Sequence, residues 1–355
     1  MSGVENKSPE NSCSVVLNVH DLSVAFCNGT KEGSMVQVTD RVSFDIKSGE
    51  FFALVGESGC GKSVTAMSIL RLLPQPSAKI ISGSVEFGNA DLAVLPLKEL
   101  QKIRGSEIAC IFQEPMQALN PVLTIKKQLL EVFRFCKTAS SLSKSDRGDN
   151  GEMAEIRRML NLAGFTDPDR VLNSYPHELS GGMLQRICIV MALLPKPRLI
   201  IADEPTTALD VTVQAQVLAV LKEMAESMGT AVLLITHNMG IVSQYANRVA
   251  VMYAGRIVEV GPVKCVITNP LHPYTQGLLA AIPESHSEMK NLKSIPGSVP
   301  QPKDFVAGCR FAERCEKCAC GSAELKSKCY SPELPFEKKS REFSSAQEHR
   351  AYCFA

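Results

Sequence analysis

Eight consecutive residues, Gly56-Glu57-Ser58-Gly59-Cys60-Gly61-Lys62-Ser63, have the spacing G-x-x-x-x-G-K-[ST] of a loop that holds nucleoside triphosphate phosphates. The residue types explain the chemistry. Glycines let backbone N–H groups turn inward on an anion, and a helix starting at the loop's end adds its positive terminus. Lys62 would reach the β- and γ-phosphates, and the Ser63 hydroxyl would take a place on Mg²⁺. Cys60 stands at the same helix start beside Lys62, a setting that lowers a thiol's pKa. The expectation is a reactive thiol whose maleimide labelling blocks ATP binding.

Further candidates lie downstream. Leu199-Ile200-Ile201-Ala202 is an apolar run ending in Asp203-Glu204. A strand of a parallel sheet would deliver these carboxylates to the edge where α/β folds bind ligands. Asp203 suits Mg²⁺ through water, and Glu204 suits orienting or deprotonating an attacking water. The plain alternative is two solvated acids at a strand end. Apolar residues 231–235 lead to Thr236-His237, so His237 is either structural or a γ-phosphate contact at the same edge. Gln113 follows another apolar run and precedes Glu114-Pro115, which stops regular structure. Ser180 reads as the N-cap of a helix opened by Gly181 and Gly182, a second helix start able to meet an anion. Phe26 reads as either a core aromatic or a platform for adenine.

The elements that must position these residues are legible as patterns. Phe51 through Val55 is a buried strand, and Val64, Met67, Ile69, Leu70, Leu72 and Leu73 follow the loop at helical spacing. Residues 14–55 alternate in short runs (Val15, Leu17, Val19; Val42, Phe44, Ile46), broken at Asn28-Gly29 and Ser48-Gly49, as antiparallel strands do. Residues 83–112 suggest a strand pair and a helix. Residues 121–170 are mainly helical, interrupted at 138–151 by a Ser-, Lys-, Asp- and Gly-rich surface loop.

Composition narrows the class. The 355 residues are 45% hydrophobic with a net charge of +1, which gives no pull toward nucleic acid or anionic lipid. No apolar run is long enough to span a bilayer, and the polar N-terminus lacks a signal-peptide core. The expected location is cytoplasmic, soluble or peripheral. Of 13 cysteines, six lie between Cys309 and Cys353. In a cytosolic nucleotide enzyme these are thiols, metal ligands or cluster ligands rather than disulfides.

Taken in order, these motifs resemble the nucleotide-binding subunit of an ATP-binding-cassette (ABC) transporter. The signature Leu179-Ser180-Gly181-Gly182-Met183-Leu184-Gln185 is the most specific, and Ala208-Leu209-Asp210 matches the D-loop. The sequence DEPTTALDVTVQAQ from Asp203 to Gln216 and the stretch Asn269-Pro270-Leu271-His272-Pro273-Tyr274-Thr275 look like the oligopeptide/dipeptide importer branch. The resemblance implies an α/β P-loop cassette over residues 14–265. It would have a mixed sheet, an antiparallel β subdomain and an inserted helical subdomain at about 114–190. A small Cys-rich extension, 266–355, would follow. It implies that residues 56–63, Val64 and Phe26 contact ATP, and that Gln113, Asp203 and Ser63 attend Mg²⁺. Glu204 and His237 would be catalytic with Gln113. Ser180, Gly181, Gly182, Gln185 and Asp210 would complete the site of a second ATPase subunit, commonly a different chain. Two permeases and an extracytoplasmic solute-binding protein would be the other partners, at the cytoplasmic face of the membrane. The branch's tail carries a four-iron, four-sulfur cluster, here matched to Cys309, Cys315, Cys329 and Cys353. Cys318 or Cys320 would be a substitute ligand, and the Cys315-x-x-Cys318 spacing also suits zinc. Cys60 in place of serine and Asn238 in place of aspartate depart from the usual pattern.

Overall fold

The computed structural model describes residues 14–27, 35–139, 149–207, 209–281, 295–332, 337–339 and 349–355. The alternating runs become long antiparallel strands, β1 (Val15–Cys27) and β2 (Met35–Lys47), paired with Leu17 opposite Ile46 and Val19 opposite Phe44. Alternation puts one face of each strand into the core, where Leu17, Val19, Val42 and Ile46 are buried. With β4 (Ala78–Phe87) and β5 (Ala90–Asp91) they make a four-stranded sheet in the order β2-β1-β4-β5.

The second sheet has eight strands, ordered β11-β12-β10-β9-β3-β8-β7-β6. Its parallel centre comprises β3 (Phe51–Val55), β6 (Ile108–Ile111), β7 (Leu199–Asp203), β8 (Ala231–Thr236) and β9 (Arg248–Tyr253). Every residue of β3, β7 and β8 is buried. Strands covered on both faces read as unbroken apolar runs, and these three do. The antiparallel flank is β10 (Arg256–Pro262), then β12 (Arg350–Tyr352) and β11 (Glu337–Lys339).

Helix α1 (Lys62–Ile69) follows the loop, and α2 (Leu97–Ile103) precedes β6. A helical insertion between β6 and β7 contains α3 (Pro115–Ala118), α4 (Ile125–Ala139), α5 (Asp149–Leu162), α6 (Pro168–Asn173) and α7 (Gly181–Leu193). Ile156, Met159 and Leu160 of α5 are fully buried against α7 residues such as Ile187. The interruption expected at 138–151 is shorter: α4 and α5 take in its two ends, and 140–148 lie outside the described residues. Then come α8 (Val211–Met228), α9 (Met239–Tyr245), α10 (Val263–Thr268), α11 (Pro273–Ala280), α12 (Glu316–Ala319) and α13 (Ala323–Tyr330).

Among the described residues, the C-terminal region packs into the core of the strands before it. One apolar cluster joins Ala53 and Val55 of β3 and Val249 and Val251 of β9 to Cys309, Phe311, Cys315, Cys318 and Cys329. Pairing of β12 with β10 continues the cassette's sheet into the same region.

Candidate functional site

Strands β3, β8, β7 and β6 are neighbours and run parallel, so their C-terminal ends share one edge. Phosphate-loop residues 56–63 leave β3, His237 follows β8, Asp203 ends β7 and Gln113 follows β6. This is the ligand-binding edge of an α/β sheet.

The loop is built as its spacing predicts. Gly59 and Gly61 take positive φ, 80° and 107°, and Gly61 caps α1. A Cβ on Gly56 would collide with the Met252 carbonyl, so the tight first turn requires glycine. Lys62 is 5% exposed, and its Nζ donates to the carbonyls of Gly56 at 2.8 Å and Glu57 at 3.0 Å. Ser58 and Ser63 are exposed, and the Ser63 hydroxyl donates to Asp203 Oδ1 at 3.1 Å. Burial holds the Asp203 carboxyl above its usual range; the Ser63 hydrogen bond opposes this. Ser63 Oγ and Asp203 Oδ1 are hard oxygen donors from different elements meeting at one point, a donor set that fits Mg²⁺. Gln113 lies exposed at the end of the neighbouring strand.

Glu204 sits at φ +46°, in the left-handed region that a non-glycine residue enters only at a cost of about 1–3 kcal/mol. Its N–H donates to Ile235 O at 3.0 Å, and Thr207 Oγ1 donates to its carboxylate at 2.9 Å. The carboxylate meets His237 Nδ1 at 3.3 Å, with His237 half exposed beside it. Asn238 departs from aspartate without losing its structural role: its side-chain oxygen caps α9, accepting from Gly240 N at 2.9 Å.

On the insertion, Ser180 caps α7 and accepts from Met183 N at 3.4 Å. Ser180 and Gly181 are exposed. A Cβ on Gly182 would come within 2.5 Å of Val213 Cγ1, which fixes that glycine by packing. Asp210 is exposed and caps α8, accepting from Val213 N at 3.0 Å.

Gln185 is 1% exposed and lies more than a turn beyond Ser180 along α7. One expectation requires correction. Cys60 is 1% exposed, and burial pushes its thiol up despite the nearby Lys62, so it is not an activated surface thiol. Its Sγ instead fills space behind the loop, where it would crowd any Cβ at Gly56. Val64 and Phe26 are both partly buried against the core, so any contact they make with nucleotide is partial.

Cys309, Cys315, Cys318, Cys329 and Cys353 are all buried, and Cys320 is exposed. Burial pushes Cys309 up to about 11 and Cys329 up to about 12, with neighbouring thiols adding to both. Cys318 shares a core with Cys309, Cys315 and Cys329, whereas Cys320 is exposed. The soft thiol donors suit a cluster or zinc. As placed among the described residues, however, they form no group arranged to hold a metal ion.

Sequence reading missed two residues at the loop. Tyr274 Oη accepts from the Glu57 N–H at 2.9 Å, and Arg314 pairs with the Glu57 carboxylate at 2.9 Å. Tyr274 lies in the Asn269-to-Thr275 stretch, whose sequence marks a branch but not a contact; Arg314 had no signal.

Fold and site together define a P-loop nucleoside triphosphatase of the cassette type. The ABC transporter family model matches residues 39–207, and that of the oligopeptide/dipeptide transporter C-terminal region matches 258–320. The chain is 48% identical to the dipeptide transport ATP-binding protein DppD of Bacillus subtilis (strain 168), over 84% of this chain and 86% of that one. It is 45% identical to the oligopeptide transport ATP-binding protein AppD of the same organism, over 86% and 89%. Among solved structures it resembles the post-hydrolysis dimer of the ATP-binding cassette MJ0796 bound to ADP and Pi. There the TM-score is 0.58 and the identity 27%, covering 70% of this chain and 98% of that one. The chain therefore belongs to the ATP-binding subunits of ABC transporters, in the oligopeptide/dipeptide transporter branch.

Proposed function

We propose that this chain hydrolyses ATP to drive import of di- and oligopeptides through partner permeases. The observation that carries the reading is the shared edge where Lys62, Ser63, Asp203, Glu204 and His237 converge. Residues 14–265 act as the cassette, with the helical insertion at about 114–190 and the extension at 266–355.

ATP enters with its phosphates on the loop. Lys62 turns from the loop carbonyls to the β- and γ-phosphates. Mg²⁺, attended by Ser63, Asp203 and Gln113, supplies neutralising charge when bound. Glu204 takes a proton from the attacking water as its oxygen bonds to the γ-phosphorus and the bond to the bridging oxygen breaks. His237 holds the γ-phosphate and that water in line. Exposed Ser180, with the amides of Gly181 and Gly182, supplies donors to the γ-phosphate on a second ATPase subunit, a related but different chain. Loss of the γ-phosphate removes the contact that shuts the pair, so the sandwich opens. The chain works as a peripheral subunit on the cytoplasmic face, served by an extracytoplasmic solute-binding protein. Among the described residues no helix is long and apolar enough to cross a membrane.

If a four-iron, four-sulfur cluster binds, Cys309, Cys315, Cys329 and Cys353 would hold it after a rearrangement of their side chains, with Cys318 or Cys320 as substitute ligand and zinc as the alternative metal. The burial of Cys309, Cys315 and Cys329 in one core, with Cys353 also buried, supports this reading. The cluster's role is structural.

One anaerobic preparation from detergent-solubilised membranes tests both parts. Two integral permeases should co-purify, and the sample should be brown with absorbance near about 400 nm. Ribosomes or nucleic acid in place of permeases would overturn the transport reading. A colourless protein with stoichiometric zinc would overturn the cluster.

A further inference from the structure

The phosphate loop is gripped from behind by the C-terminal region. Tyr274, at the start of α11, takes the backbone N–H of Glu57. The Arg314 guanidinium takes the Glu57 carboxylate in a fork, Nη1 to Oε2 at 2.9 Å and Nη2 to Oε1 at 3.3 Å. Main chain and side chain of one loop residue are thus both held. Arg314 is itself fixed: Nε donates to Pro296 O at 2.7 Å, Nη2 to Gly297 O at 3.2 Å and Nη1 to the Tyr253 hydroxyl at 3.3 Å. Tyr253 and Tyr274 are 1% and 0% exposed with ring centroids 4.6 Å apart, and Phe311 packs on both. The block is rigid, and its contacts run from Arg314 through Glu57 to Lys62, whose Nζ meets the Glu57 carbonyl.

We propose that Arg314, seconded by Tyr274, is a positioning residue that sets the affinity of the phosphate loop for nucleoside triphosphate. The proposal rests on the loop's assignment as the ATP site. Two physical effects favour it. A loop whose amides are already aimed pays less ordering entropy when the anion arrives. Glu57 also brings a negative charge beside a polyphosphate, and a forked guanidinium offsets that repulsion while fixing the carboxylate.

The test is the dissociation constant of a fluorescent ATP analogue with Mg²⁺, measured on the full-length subunit. Arg314→Ala is expected to weaken binding about tenfold, a loss of about 1.4 kcal/mol. Arg314→Lys keeps the charge without the fork and should lose less. Adding Glu57→Gln to Arg314→Ala should cause no further loss and should recover part of the first, because it removes the carboxylate left unpaired beside the phosphates. Arg256→Ala releases the same region at a different point, the carbonyls of Ala307 and Gly308, and should leave affinity unchanged. Wild-type affinity in Arg314→Ala, additive losses in the double variant, or an equal loss in Arg256→Ala would each overturn the proposal. If Arg314→Ala does not fold, Arg314→Lys carries the test: weakened binding supports the proposal, and wild-type affinity overturns it. A wild-type subunit that binds no nucleotide would instead overturn the assignment of the loop.

Discussion

Cys60 shows how a local pattern and its packing part company. Its position beside Lys62 at a helix start predicts an activated thiol. Burial decides otherwise: at 1% exposure the thiolate has no solvent, and this outweighs the Lys62 Nζ, which donates to Cys60 Sγ at 3.9 Å as well as to the Gly56 and Glu57 carbonyls. Maleimide should therefore leave Cys60 unmodified in the native subunit and spare ATP binding, whereas the unfolded chain should label there. Peptide mapping of the labelled protein checks this, and rapid native labelling of Cys60 would refute it. Other residues were legible singly because each belongs to a short motif: Lys62, Ser63, Asp203, Glu204 and His237 meet as their spacing implied. The burial of Gln185 was not legible, because a motif records identity and not which side of the helix is buried.

Among elements, strands read best. β3, β7 and β8 are continuous apolar runs since both faces are covered, and β1 and β2 alternate since one face is. The ties between distant elements left no such trace. Asp40 in β2 accepts from Arg256 Nε at 2.8 Å and from Arg310 Nη2 at 2.9 Å, the latter 270 residues away. Burial alone would raise the Asp40 carboxyl, but Arg256 and Arg310 more than reverse this, and its pKa falls below the ordinary 3.8. A carboxyl depressed in the folded state contributes stability that is present above its unfolded pKa and lost as pH falls through the folded one. Asp40→Ala leaves two mostly buried guanidiniums without their carboxylate, and should cost about 3–5 kcal/mol at neutral pH. Below about pH 4 the gap between variant and wild type should narrow. Denaturant melts at both pH values check this; a gap that stays constant or widens in acid would contradict it.

For the whole molecule, the cysteine-rich region is less a tail than the far wall of the cassette. Its thiols were visible as a spacing pattern, which suggested a small separate unit. Its packing was not: Cys309, Cys315 and Cys329 share a core with β3 and β9, and β12 extends the cassette's sheet. Shared cores depend on contacts between segments far apart in sequence, which no local period reports. The other large-scale feature is a division of labour. The phosphate loop and Glu204 lie on the sheet edge, while exposed Ser180 and Gly181 begin a helix of the insertion. On the function proposed above, each chain offers two half-sites and a second ATPase subunit completes each one.

Glu204→Gln in the purified transport complex tests this account most directly. The amide keeps the size of the side chain but cannot take the proton of the attacking water. ATP turnover should fall at least about a hundredfold, toward the upper range of a general base's contribution, while ATP remains bound in a closed pair of ATPase subunits. Hydrolysis at the wild-type rate would contradict the role of Glu204, and ATP held by a lone subunit without pairing would contradict the shared site.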